Sequence, residues 1–268
     1  MASIIAINVG NTRASVARIE DGMIVESTSE PSGDATAVAA AARRLAADDS
    51  LTVVIASVAP RRSTAIAEAL QQAGLTDIGS IGDDIGIPLA TKLGDGANPG
   101  QDRLLCATAA WRRLGQACVV IDAGTCITVD FIDGEGTFHG GAIAPGWRLQ
   151  LHAMHTGTEG LPDVLPARPG DEAFGADTVS AMRLGVLEGL RGLVQRLIER
   201  YALAYGAFPL VIATGGDAEA LFADDELVNL IAPDLVIEGV ACAWAAATQS
   251  EEDAPKFGET RRPQAHSE

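Results

Sequence analysis

Asp122 and Gly124 stand two residues apart at the end of an apolar run, within residues 119–131, VVIDAGTCITVDF. The β-branched residues Val119, Val120 and Ile121 predict a strand ending at Asp122, Ala123-Gly124-Thr125 a turn, and Cys126 onward a second, alternating strand. A glycine at the tip of such a hairpin lets backbone N–H groups approach a phosphate closely. A carboxylate at the strand end can hold Mg²⁺ or another cation against it. Residues 4–19, IIAINVGNTRASVARI, have the same grammar: an apolar strand, an amide at Asn8, a glycine two positions on at Gly10, Asn11-Thr12, and a second alternating strand closed by Asp21-Gly22. The later hairpin closes in Asp133-Gly134. The matched pair reads as an internal repeat, each member half of a nucleotide site.

A second group of chemically capable residues is Gly100-Gln101-Asp102-Arg103, ahead of a helix predicted over 104–114. Asp102 near a helix N-terminus is most simply a capping aspartate. Beside Arg103 it has another use, as a base next to an anion clamp. Gly215-Gly216, after the strand predicted over 210–214, either packs against a flat ligand or makes a plain turn. His152 and His155 have the spacing of two metal ligands on a helix, but no third ligand is evident nearby, which favours surface or core histidines. Cys106, Cys118, Cys126 and Cys242 lie far apart in apolar segments without CxxC spacing and read as buried free thiols.

The elements that must position these residues follow from patterning. A third strand over 22–27, a helix over 34–48, a strand over 51–57 and a helix over 61–73 complete a β-β-β-α-β-α order, that of a ribonuclease H-like unit with a mixed sheet covered by helices. Proline and glycine make 85–100 a loop. In the second half come a strand over 137–143, a helix to about 154, a connecting loop over 157–175 and a long helix over 178–205. The stripe Met182, Val186, Leu190, Leu193, Leu197, Tyr201 on that helix suits a core and part of a subunit interface. Residues 235–239 lead into a last helix reaching about 248. The expected fold is α/β, two ribonuclease H-like domains at 1–116 and 117–249, followed by a disordered tail over 250–268.

Composition narrows the function further. With 36 acidic against 19 basic side chains, the net charge of −17 repels nucleic acid and anionic membrane, so an anionic substrate needs a locally positive pocket, for which Arg103 is the first candidate. No run of about 18 apolar residues is present and no leader precedes the first strand, so a soluble, cytoplasmic protein is expected.

With these pieces placed, the chain resembles the type III pantothenate kinase family of the actin, sugar kinase and Hsp70 ATPase superfamily, which includes the Bvg accessory factor-like proteins. The motifs are NVGNT at Asn8, GQDR at Gly100, DAGTCIT at Asp122, GGAIAPG at Gly140, ADTVSAM at Ala176, ATGGDA at Ala213 and IEG at Ile237. The resemblance implies ATP-dependent phosphorylation of pantothenate to 4'-phosphopantothenate, the first step of coenzyme A biosynthesis, by a homodimer using Mg²⁺ or another divalent cation and a monovalent cation, K⁺ or NH₄⁺. It implies that Asn8, Val9, Gly10, Asn11, Thr12, Arg13, Ala14 and Ser15 cradle ATP phosphates and that Thr125 contacts ATP. Asp102 would take the proton from the pantothenate hydroxyl, Gly100, Gln101 and Arg103 would touch the substrate, Asp122 would hold the monovalent cation, and Thr178 would bind pantothenate across the dimer interface. The chain departs from the family in three places: Asn8 stands where the pattern has aspartate, Asp177 where asparagine is usual, and residues 85–101 lack the usual substrate-contacting tyrosine. The first departure leaves an alternative, a catalytically impaired homologue that binds nucleotide or pantothenate as a regulatory protein.

Overall fold

The computed structural model describes residues 3–47, 51–170 and 173–249. The expected end of the first helix at Asp48 and the tail over 250–268 lie outside the described residues. The chain divides into two compact units, one running to Pro88 and joined by the segment from Val240, the other Leu89–Gly239.

In the first unit, β1 (Ile4–Val9), β2 (Arg13–Glu20), β3 (Met23–Pro31), β4 (Thr52–Ser57) and β5 (Ile78–Ser80) form one sheet in the order β3-β2-β1-β4-β5. β1 runs antiparallel to β2 and parallel to β4. Alternate strand residues Ile5, Ile7, Val9, Val53 and Ile55 pack with Val38 and Leu45 of α1 (Ala35–Ala46) and with Ile66 and Leu70 of α2 (Pro60–Gln72). Period-two alternation aims these side chains at one face, so Asn8 stands on the other. Asp34 caps α1, its Oδ1 accepting the N–H of Ala37 at 2.9 Å.

The second unit repeats the plan. β7 (Cys118–Ala123), β8 (Cys126–Ile132), β9 (Thr137–Pro145), β10 (Leu210–Thr214) and β11 (Leu230–Ile231) lie in the order β11-β10-β7-β8-β9, with β7 antiparallel to β8 and parallel to β10. Read from the third strand, both sheets have one topology, so the expected internal repeat and ribonuclease H-like fold are borne out. The second sheet carries an extra strand beyond β9, the two-residue β6 (Ala90–Thr91), parallel to it, in the stretch expected to be loop. The Lys92 N–H extends that pairing to the Phe138 carbonyl at 2.8 Å, and β6 exists through this tertiary contact rather than any local pattern.

Helices cover both faces of the second sheet. Val119, Ile121, Ile127, Val129 and Phe131 pack with α4 (Trp147–Thr156), α5 (Thr178–Tyr205) and α6 (Ala218–Phe222). Cys118, Val120, Ile132 and Phe138 pack with α3 (Gln101–Leu114) and the start of α7 (Leu235–Gln249). Residues 235–239, expected to lead into the last helix, are its first turn, because Leu235 and Ile237 are buried at its start. Leu190 is fully buried on α5. Leu190→Ala should cost about 2–5 kcal/mol in urea unfolding, with the spread set by how far the cavity collapses.

All four cysteines are free thiols, and Cys106 and Cys118 are buried as expected. Cys126 is a correction: it is exposed, because it opens β8 at the hairpin tip, where the chain is still emerging from the turn. Cys242 is partly exposed on α7.

Candidate active site

Asn8 and Asp122 occupy the same place in the two repeats. Each is the fifth residue of a six-residue strand whose other five positions are buried, and each is partly exposed. Asn8 pairs across to Ser15 of β2 and Ala56 of β4, while Asp122 pairs to Thr128 of β8 and Thr214 of β10. In the first turn Gly10 donates its N–H to the Arg13 carbonyl at 3.0 Å, leaving Asn11 and Thr12 exposed at the tip between buried Val9 and Ala14. Arg13 turns to β3, its Nε donating to Ser29 Oγ at 2.7 Å and its Nη2 to the Ser29 carbonyl at 2.5 Å. In the second turn Gly124 donates to the Cys126 carbonyl at 3.0 Å and Thr125 lies exposed, its carbonyl accepting the Gly146 N–H at 3.0 Å. The GGAIAPG motif therefore ends by anchoring this turn.

The strand following β7 in the sheet closes in on Asp122. Gly215, after β10, has φ +93°, and a Cβ there would lie 2.4 Å from Asp122 Oδ1 and 2.5 Å from the Ala123 carbonyl. Only glycine fits this left-handed position against a carboxylate. The ATGGDA motif thus serves the geometry around Asp122, whatever else the paired glycines contact.

Gly100, not Asp102, is the N-cap of α3. The simpler sequence expectation, a capping aspartate, is corrected: Asp102 lies inside the first turn, where its Oδ1 accepts the Arg103 N–H at 2.8 Å. Gly100 and Gln101 set the start of the helix and so aim Asp102 and Arg103. The Arg103 guanidinium is bound by Asp130 of β8: Nε donates to Oδ2 at 2.9 Å and Nη2 donates to Oδ1, a bidentate pair. Asp130 is 1% exposed. The Phe138 ring lies 5.7 Å from the Arg103 Cζ. Arg103, Phe138, His139, Gly141 and Asn98 line a cavity of about 370 Å³ in the second unit. His139 Nε2 stands 2.7 Å from Asp133 Oδ2 at its rim.

Three carboxylates, Asp102, Asp122 and Asp130, therefore share this neighbourhood with one guanidinium. Burial raises the Asp102 carboxyl above its usual range, opposed by the Arg103 N–H and the Arg103 charge. Asp122 is pushed up to about 7, first by burial, then by the negative charges of Asp102 and Asp130. A carboxylate kept from ionising by burial and by neighbouring negative charges is one that a cation would relieve, so the donor set at Asp122 suits a bound cation. Among the described residues no group of three or more His, Cys, Asp or Glu side chains could hold a metal by itself. His152 and His155 make no such site, for the ring of His155 contacts the Leu161 carbonyl at 2.7 Å through Nδ1.

The shift of Asp122 has a measurable consequence. Its carboxyl titrates near 3.8 in an unfolded chain and at about 7 in the fold. As pH rises past the lower value the unfolded chain ionises first, so the stability conferred by the neutral carboxyl is lost up to the higher value and then stays constant. Asp122→Asn should therefore melt higher than the native chain in cation-free buffer, with an advantage that grows across this window and levels off above it. A calorimetric melting series would show it, and an advantage independent of pH would reject the assignment.

Asp130 is a site residue that the sequence pattern does not single out, although it is the lone charge in the strand ITVDFI. It shares the α3 face of the sheet with Asp122, eight positions earlier and across one hairpin. Thr178 is the exposed first residue of α5, behind the N-cap Asp177, whose Oδ1 accepts the Ser180 N–H at 2.8 Å in a capping box. That cap accounts for Asp177 locally. No hydrogen bond joins the Thr178 side chain to Asp102, Arg103 or Asp122 among the described residues.

Known proteins resemble this chain in sequence and in fold. A protein of Rhodopirellula baltica named type III pantothenate kinase is 43% identical over 143 residues, 52% of this chain and 50% of that protein. One of Paramagnetospirillum magneticum with the same name is 36% identical over 163 residues, 61% of this chain and 62% of that protein. The matched part of the chain thus spans between half and two thirds of these relatives' length. A crystal structure from Campylobacter jejuni, described as a Baf family transcriptional activator, superposes with a TM-score of 0.60 at 18% identity, covering 91% of this chain and 98% of that one. That likeness shows the fold, with two mixed sheets covered by helices. The family model for type III pantothenate kinase matches residues 4–200, from the first phosphate turn through GQDR and DAGTCIT into α5, and this chain belongs to the type III pantothenate kinase family.

Proposed function

We propose that this protein transfers the γ-phosphoryl group of ATP to the hydroxyl of pantothenate, giving 4'-phosphopantothenate in the first step of coenzyme A biosynthesis. The main support is the family match, which runs through both hairpins and α3. Bound ATP with Mg²⁺ or another divalent cation supplies the phosphoryl group and neutralises its charge, so the protein's share is placement and proton transfer.

Asp102 takes the proton from the attacking hydroxyl, and Arg103 presents its outer N–H groups to the pantothenate carboxylate, with Gly100 and Gln101 beside them. The turn residues Asn8 to Ser15 and Thr125 hold phosphate oxygens. Asp122 holds a monovalent cation, K⁺ or NH₄⁺. Thr178 reaches pantothenate from the other subunit of a homodimer, which fits its exposure at the start of α5. We place the two ribonuclease H-like domains at 1–116 and 117–249 and the protein in the cytoplasm, consistent with the absence, among the described residues, of a helix long and apolar enough to cross a membrane.

The test is ADP formation with pantothenate, ATP, Mg²⁺ and K⁺, with mass detection of phosphopantothenate. No product under these conditions overturns the kinase reading. Asn8 favours a second reading, an impaired homologue that keeps affinity for nucleotide or pantothenate. Calorimetric binding of either ligand without turnover would establish that one instead.

A further inference from the structure

Asp102 and Arg103 are chain neighbours in one helical turn, yet the guanidinium turns away from the carboxylate beside it and binds a buried one on β8. We propose that Asp130 is a positioning residue, which holds Arg103 as the receptor for the acceptor's carboxylate and keeps it off Asp102. This rests on the phosphotransfer reading above and adds the residue that sets its carboxylate receptor.

The geometry is specific. Bidentate pairing through Nε and Nη2 fixes the guanidinium plane and uses two of its five N–H groups. The other three lie on the far edge, and Arg103 lines the cavity. The Phe138 ring, 5.7 Å from Cζ, limits rotation out of that plane. Opposite Asp130 in the β8–β9 register stands Gly141, where a Cβ would lie 2.0 Å from the Val129 carbonyl and 2.6 Å from Asp130 Oδ1. The absence of a side chain there gives the buried carboxylate its room. The β8–β9 register also shifts between Asp130 and Ile132, and such an irregularity re-aims a side chain.

The electrostatic effect follows. Asp130 is 1% exposed and Arg103 is its ion-pair partner, so the guanidinium is committed in advance. Without Asp130, Arg103 would be drawn to Asp102 and would mask the base. With it, clamp and base stay separate, and a substrate carboxylate meets oriented donors that need no rearrangement. In a chain of net charge −17, this arrangement gives an anion oriented donors at the cavity wall.

The test compares pantothenate with pantothenyl alcohol, in which a hydroxymethyl group replaces the carboxylate. Asp130→Asn keeps the shape but turns an NH₂ toward one Arg103 N–H. It should raise KM for pantothenate about 100-fold while leaving KM for the alcohol within about 2-fold of the native value, and it should lower kcat for both acceptors, because the released guanidinium masks Asp102. A general structural defect would raise KM for both acceptors together, and that result, or undiminished discrimination in KM by the variant, overturns the proposal. If Asp130→Asn does not fold, the native chain decides: the Arg103 ¹⁵Nε–H resonance, assigned through its loss in Arg103→Lys, should be protected from solvent exchange and should shift with pantothenate but not with the alcohol. An unprotected signal, or equal shifts, overturns it. If the native chain forms no ADP from pantothenate, the kinase reading fails separately. Calorimetry with N-acyl-β-alanines against the matching alcohols then tests the receptor, and equal affinity for the two classes rejects it.

Discussion

Asp102→Asn is expected to lower kcat for pantothenate phosphorylation by about 10²–10⁴-fold, the range for loss of a positioned general base, with KM for ATP little changed. The variant should remain folded, and its melting temperature at neutral pH should equal or exceed that of the native protein. The reason lies in the sign of the shift. Burial raises the Asp102 carboxyl above its usual range, so ionised Asp102 is a cost to the fold that the amide removes. A residue kept for stability would behave in the opposite way. The same shift predicts that kcat/KM falls as pH drops through a value above the ordinary aspartate pKa of 3.8, because the base must be ionised to accept a proton. Activity retained in Asp102→Asn would remove Asp102 from the chemistry. A fall in melting temperature alongside lost activity would make its role structural.

Asn8→Asp should act in the other direction, raising kcat by about 10- to 10³-fold at saturating Mg²⁺ and ATP. Asn8 occupies the position in the first sheet that Asp122 holds in the second, the partly exposed fifth residue of a buried strand. An amide there offers an oxygen without charge. A carboxylate about 4 Å from a divalent cation gains a few kcal/mol at the effective dielectric of a protein surface, and each 1.36 kcal/mol realised in the transition state is about tenfold in rate. Without a cation the new charge should lower the melting temperature, and Mg²⁺ with ATP should restore it. Steady-state kinetics across a Mg²⁺ series and a paired melting experiment check both. An unchanged rate with unchanged Mg²⁺ dependence would show that Asn8 does not face the metal-bound phosphates. A silent native chain that gains turnover on this one substitution would support the impaired-homologue reading while leaving the rest of the site intact.

What the amino-acid order determined by itself was everything with a short-range physical cause. Strand alternation, β-branched runs and glycine turns located both hairpins, and their shared grammar announced a repeat that reappears as two sheets of one topology. The long helix was legible from end to end, Thr178–Tyr205, because the αL residue Gly206 stops it and Asp177 starts it. The ranks of Asp102 and Arg103 at a helix start were equally local. Only the tertiary structure decided what those side chains do. Whether Asp102 caps or faces chemistry depended on Gly100 taking the cap position, a matter of one residue in helix phase. Whether Arg103 waits for substrate or pairs within the protein depended on Asp130, 27 residues away, brought to it by strand register and the bare backbone of Gly141. Likewise β6 has too few residues to announce itself and forms because β9 offers an open edge. Propensity and periodicity act over a turn or a strand, whereas pairing between charges and between edges is a property of the packed chain, and the chemistry of this site resides in those pairings.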